Sequence, residues 1–136
     1  MQALELYIHI PFCVRKCYYC DFLSGVSDEN RREEYVKALL TEIRMCAGKC
    51  EKYTVTSIFI GGGTPSLMQG ARIERILEEI RRGYVLDKGV EITIEMNPGT
   101  VDEEKLAAYK RAGINRLSIG LQAAENEELK KMGRIH

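Results

Sequence analysis

Val55-Thr56-Ser57-Ile58-Phe59-Ile60 runs directly into Gly61-Gly62-Gly63-Thr64-Pro65, after which Ile73, Ile76, Leu77 and Ile80 recur at helical spacing. The first run is short, apolar and rich in β-branched residues, the pattern of a strand buried on both faces. Glycine and proline then stop it. The i, i+3, i+4, i+7 spacing that follows draws one apolar stripe on a helix over about 71–83. A buried strand, a tight turn and an amphipathic helix form the repeating half of a βαβ unit.

The same unit recurs on either side. Leu4–Ile10, Val90–Ile94 and Leu117–Leu121 are further apolar runs of strand length. Tyr35, Val36, Leu39, Leu40 and Ile43 place one stripe on a helix over about 30–47. Thr100-Val101-Asp102-Glu103 has the form of a capping box, opening a helix that Gly113 closes. Glu125 to Met132 begins another helical stretch. The alternation predicts an α/β fold: a parallel sheet with right-handed crossovers, built as a partial (β/α) barrel of about four βα units. Such a sheet keeps an open edge and one poorly covered face. No linker or composition shift divides the chain, so residues 1–136 are expected to form one incomplete core domain.

Each strand ends in chemically unusual residues: Pro11-Phe12-Cys13, then Gly61 to Pro65, then Glu95-Met96-Asn97-Pro98, then Gln122. Ligands of parallel α/β folds bind at the carboxyl ends of strands, so four irregularities on one rim point to a shared site. The triple glycine fits neither GxGxxG nor a P-loop. Glu95 interrupts an apolar strand, where a carboxylate calls for a partner. Strand alternation sends Leu6 and Ile8 toward the helices, and Tyr7 and His9 toward the barrel interior.

Cys13, Cys17 and Cys20 lie within eight residues, and Cys46 and Cys50 follow further on. An odd count of thiols suits a disulfide framework poorly. A closed zinc site needs four ligands, with His9, Cys46 or Cys50 as candidates for the fourth. Cys46 continues the apolar stripe of its helix and is expected to be a buried structural thiol. Three thiolates without an obvious fourth favour an iron–sulfur cluster with one iron left open, ahead of zinc.

Composition sets the remaining bounds. The 136 residues carry 20 basic and 20 acidic side chains, which excludes nucleic-acid binding by bulk charge. Hydrophobic residues at 45% and charged residues at 29% exclude a disordered chain. No apolar run reaches the roughly 18 residues of a membrane span. The start, Met1-Gln2-Ala3-Leu4-Glu5, has no basic region followed by an apolar one, which predicts a cytoplasmic protein.

Leu6-Tyr7-Ile8-His9-Ile10-Pro11-Phe12-Cys13, the CxxxCxxC spacing and Phe59 to Pro65 together resemble radical S-adenosylmethionine (SAM) proteins. The likeness continues through Ile94-Glu95, Arg116 to Gln122 and Gly133-Arg134-Ile135-His136. It is strongest to the branch containing oxygen-independent coproporphyrinogen III oxidase and HemW-type haem chaperones. The oxidase type carries a further cysteine two residues after the third cluster cysteine. This chain has Cys20-Asp21-Phe22, as the chaperone type does, and Asn97-Pro98-Gly99-Thr100 also resembles that type. The resemblance ends at roughly the first third of a family member, so the chain is expected to be an N-terminal portion.

Cys13, Cys17 and Cys20 match, by that resemblance, the three ligands of a [4Fe-4S] cluster. Its open iron would be chelated by the amino and carboxylate groups of SAM, for reductive SAM cleavage. Tyr7 and Tyr19 match SAM-contacting aromatics. Gly62, Gly63 and Thr64 match the glycine-rich SAM loop. Glu95, Gln122 and Arg134 match polar SAM contacts. One departure is Ala123-Ala124, where the family commonly has a serine beside the glutamine.

The function implied is that of a HemW-like haem chaperone, truncated here and expected to be inactive alone. Its partners would be an electron donor protein and haem or a haem acceptor, with haem binding left to the C-terminal part of the family. The alternatives are an oxidase of porphyrin biosynthesis and a non-catalytic module holding zinc or an iron–sulfur cluster.

Overall fold

The computed structural model describes residues 1–13 and 29–119. Seven elements follow in strict alternation: β1 (Gln2–Ile10), α1 (Glu29–Ala47), β2 (Tyr53–Gly62), α2 (Gly70–Gly83), β3 (Val85–Met96), α3 (Glu103–Ala112) and β4 (Arg116–Ile119). The strands form one parallel sheet in the order β1-β2-β3-β4. Sequential neighbours joined by helical crossovers give this order directly. The result is the α/β architecture and partial barrel that the alternating pattern predicts. The fourth helical stretch, Glu125 to Met132, lies outside the described residues.

One face of the sheet is covered by the helices. Ile8 and Ile10 of β1, Val55, Ile58 and Ile60 of β2, and Ile92 and Ile94 of β3 are buried there. They pack with Val36, Leu40 and Ile43 of α1 and the full predicted stripe Ile73, Ile76, Leu77 and Ile80 of α2. Gly70 of α2 lies so close to Ala108 of α3 that a Cβ there would overlap the alanine methyl. Ion pairs cover the outer side of the α1–α2 contact: Glu33 meets Arg75 at 2.7 Å, and Glu29 meets Arg72 at 2.6 Å.

Three local expectations change. Helix α3 is capped by Asp102, whose carboxylate accepts the Lys105 amide at 2.8 Å. Thr100 instead ends a short 3-10 turn, Pro98–Thr100, and its hydroxyl donates to the Asn97 carbonyl at 2.7 Å. Strand β3 begins at Val85 rather than Val90, because Val85 and Leu86 already pair with Thr54 and Val55 of β2; the register then jumps to Ser57–Glu91 and leaves residues 87–90 as a bulge. Cys46 is exposed: α1 ends one residue later at Ala47, so its thiol overhangs the edge of the packed face. Gly113 closes α3 as expected, at φ +102°.

Candidate functional site

The opposite sheet face carries the polar residues. Glu5, Tyr7 and His9 alternate with the buried residues of β1, as the strand period requires. Tyr7 is 58% exposed, its ring stacked on Phe59 of β2 with centroids 6.0 Å apart, and its hydroxyl 3.5 Å from Nδ1 of His9. In the next rung His9 pairs with Gly61, and Glu95 with Ser118. A Cβ at Gly61 would overlap Oε1 of Glu95 and stand 2.7 Å from the Phe59 ring. Bare backbone at Gly61 is therefore what lets Glu95 lie across β2 toward β1.

Burial raises the Glu95 carboxyl above the usual carboxylate range, while the Gly62 amide and the charge of His9 pull it back. The Tyr7 hydroxyl is raised as well, first by burial and then by the Glu95 charge. The face thus holds a half-buried carboxylate beside a solvent-facing phenol. An ammonium or hydroxyl of a ligand would satisfy that carboxylate.

At the rim, the chain after β2 is laced to the chain after β1. The Gly63 amide donates to the Ile10 carbonyl at 2.8 Å, and the Thr64 amide to the Phe12 carbonyl at 2.7 Å. Gly62 has φ +120°, and a Cβ there would stand 2.7 Å from the Ile10 oxygen. A Cβ at Gly63 would stand 2.6 Å from the Phe12 oxygen and 2.8 Å from Sγ of Cys13. Both positions demand glycine, one for conformation and both for space. Cys13 is buried at 6% exposure as a free thiol against this loop. Tyr35 of α1 secures the same rim from behind, donating to the His9 carbonyl and meeting Phe12 edge-on at 5.3 Å.

A second layer holds the glycine-rich loop to the loop after β3. Asn97 donates through its backbone amide to the Ser66 hydroxyl at 3.1 Å, and through Nδ2 to the Thr64 hydroxyl at 3.2 Å. The hydroxyls of Ser66 and Thr100 are hydrogen-bonded to each other. Lys105 Nζ donates to the carbonyls of Ser66 at 2.8 Å and Thr100 at 2.9 Å. The Tyr109 hydroxyl donates to the Met68 carbonyl at 3.0 Å. Asn97 stands among the strand-end irregularities of the sequence, whereas Ser66, Lys105 and Tyr109 do not, since their links to one another span about 30 to 40 positions. The one signal was the pair of prolines, Pro65 and Pro98, each opening a turn at a strand end.

Of the expected site residues, Tyr7, Cys13, Gly62, Gly63, Thr64 and Glu95 fall on one rim and one adjoining face. Cys17, Tyr19, Cys20, Gln122 and Arg134 lie outside the described residues. Among the described residues no three His, Cys, Asp or Glu side chains gather as a metal site. No described helix is long and apolar enough to cross a membrane.

Comparison with known proteins agrees with this geometry. The chain is 46% identical to the heme chaperone HemW of Escherichia coli (strain K12), over all of this chain and 36% of that protein. It is 38% identical to the heme chaperone HemW of Bacillus subtilis (strain 168), over 96% of this chain and 35% of the relative. A solved structure of coproporphyrinogen III oxidase (HemN) from Escherichia coli, described as a radical SAM enzyme, matches with a TM-score of 0.89 at 31% identity. That match covers 99% of this chain and 31% of the solved one. The chain therefore spans about a third of the length of the relatives it matches. The sequence pattern of the Radical SAM superfamily covers residues 7–136, and this chain belongs to that superfamily.

Proposed function

We propose that this chain is the N-terminal part of the core domain of a HemW-like haem chaperone, holding a [4Fe-4S] cluster and SAM at the sheet rim. The observation that carries the reading is Cys13, a buried free thiol lodged against a glycine cradle at the end of β1. The residues present fit such a group. A soft sulfur donor sits at the rim, bare glycine backbone packs directly against it, and a half-buried carboxylate lies on the adjoining sheet face.

Cys13, Cys17 and Cys20 would ligate the cluster, leaving one iron for the ligand. Tyr7 would flank the ligand with its exposed ring. Gly62, Gly63 and Thr64 would present backbone groups at close range, and Glu95 would accept from an ammonium or hydroxyl. Tyr19, Gln122 and Arg134 complete the proposed contacts. The cluster, when bound, supplies the electron for reductive SAM cleavage, received from an electron donor protein. The protein's part is to position the ligand and to exclude water from that rim. Haem and a haem acceptor protein are partners of the full-length, cytoplasmic protein.

The chaperone reading stands ahead of an oxidase. Asp21 and Phe22 follow Cys20 where the oxidase type has a further cysteine, and the chaperones reach higher identity than the oxidase structure. Anaerobic reconstitution of the full-length protein with iron and sulfide should yield four irons per chain and an EPR spectrum that changes on adding SAM. Haem titration should produce a saturable absorption band without coproporphyrinogen decarboxylation. One tightly held zinc with no labile sulfide would instead identify a closed structural metal module.

A further inference from the structure

Lys105 is in the first turn of α3, on no strand and outside the rim, yet its ammonium is half-buried. Such a group keeps its charge only where carbonyls or carboxylates replace water. Here Nζ donates to Ser66 O at 2.8 Å and Thr100 O at 2.9 Å, one carbonyl from the loop after β2 and one from the loop after β3. The same two residues are joined by their hydroxyls, and Ser66 is fully buried. Lys105 itself is fixed by Asp102, which accepts its backbone amide at 2.8 Å.

We propose that Lys105 is a positioning residue: its ammonium ties the glycine-rich loop to the loop after β3 and so fixes where Thr64 and Gly63 stand. The chain of contacts is short. Ser66 is two residues from Thr64; Asn97, three residues before Thr100, holds the Thr64 hydroxyl at 3.2 Å. The Thr64 amide in turn donates to the Phe12 carbonyl at 2.7 Å. With both loops bound to one cation, the loop that meets the ligand is set before the ligand arrives, and ordering it does not weaken binding. The role rests on the proposed SAM site, since it is that ligand which Thr64 and Gly63 would meet.

The test uses the reconstituted full-length protein and its EPR response to SAM. Lys105→Met keeps the apolar stem and removes both donors. It should raise the SAM Kd about tenfold, the usual size of a supporting-partner loss, with iron content and the saturated EPR signal unchanged. Lys105→Arg, which can still reach two carbonyls, should restore most of the affinity. Amide exchange at Gly63 and Thr64 should quicken in Lys105→Met even without SAM. If Lys105→Met does not fold, Thr100→Val, which removes the hydroxyl link between the same loops, should raise the Kd in the same direction. An unchanged Kd in these variants, beside a wild type that responds to SAM, overturns the proposal alone. Parallel loss of iron, melting temperature and affinity also overturns it, in favour of a purely structural lysine. A wild type whose spectrum ignores SAM overturns the site reading and this role together.

Discussion

The Thr64 amide donates to the Phe12 carbonyl at 2.7 Å, so the loop after β2 and the residue before Cys13 form one hydrogen-bonded unit. The glycines beside this bond are the places to apply pressure.

Gly63→Ala inserts a methyl where 2.6 Å separates the ideal Cβ from the Phe12 oxygen and 2.8 Å from the Cys13 sulfur. Backbone has to yield, at about 1–3 kcal/mol. Iron bound per chain after reconstitution should fall at least twofold. Gly48→Ala is the matched control, because a Cβ there meets nothing within 4 Å. It should leave both stability and iron content unchanged.

Glu95→Gln should separate stability from function. Burial lifts the Glu95 carboxyl, so the folded chain holds that proton more tightly than the unfolded chain does. Folded stability therefore declines as pH rises from the unfolded carboxylate's value through the raised folded one. Glutamine cannot ionise, so the variant should melt higher than wild type at pH 7 and equally at acid pH. SAM affinity in the full-length protein should nonetheless drop, the trade expected of a strained site. Melting curves across pH, beside a SAM titration, check both halves.

Glu33 provides an acid-sensitive clamp between α1 and α2. Hydrogen bonds from Arg75, joined by Arg72, hold its carboxyl down to about 2 from an ordinary 4.5. A lowered carboxyl contributes its stability above the unfolded value and loses it as pH falls toward the folded one. Urea midpoints of wild type and Glu33→Gln should differ at pH 6 and draw together between pH 4.5 and 2. A gap that persists unchanged at pH 2 would place the effect in packing instead.

Tyr109→Phe removes the hydroxyl that donates to the Met68 carbonyl at 3.0 Å, from a side chain 1% exposed. Leaving that acceptor buried and unmet costs about 1–3 kcal/mol. Urea unfolding should show the lower midpoint with an unchanged slope.

The strands and helices were legible because their signals are local. The stripe from Ile73 to Ile80, the Gly113 stop and the alternation at Tyr7 and His9 each need only neighbours in sequence. Cys46 was misplaced because a stripe says which side a residue is on and nothing of where the neighbouring element ends. Thr100 was misread as a cap because its hydroxyl is claimed by Ser66, a partner 34 positions away. Half of the candidate site was visible as glycine, proline and cysteine at strand ends. The layer behind it adds Ser66 and Lys105, ordinary polar residues whose importance lies wholly in tertiary placement.

The sheet order has a kinetic consequence. Leu4 pairs with Val55, Ile58 with Ile92 and Ile94 with Leu117, so the loops that pairing must close shorten steadily along the chain. Each doubling of loop length adds about 0.6 kcal/mol of closure entropy, a bias of roughly threefold in rate. Refolding from denaturant then favours the later strands first and docks β1 last. Synthesis delivers β1 first, so in the cell the strand bearing Tyr7 and leading to Cys13 emerges early and waits for its partner.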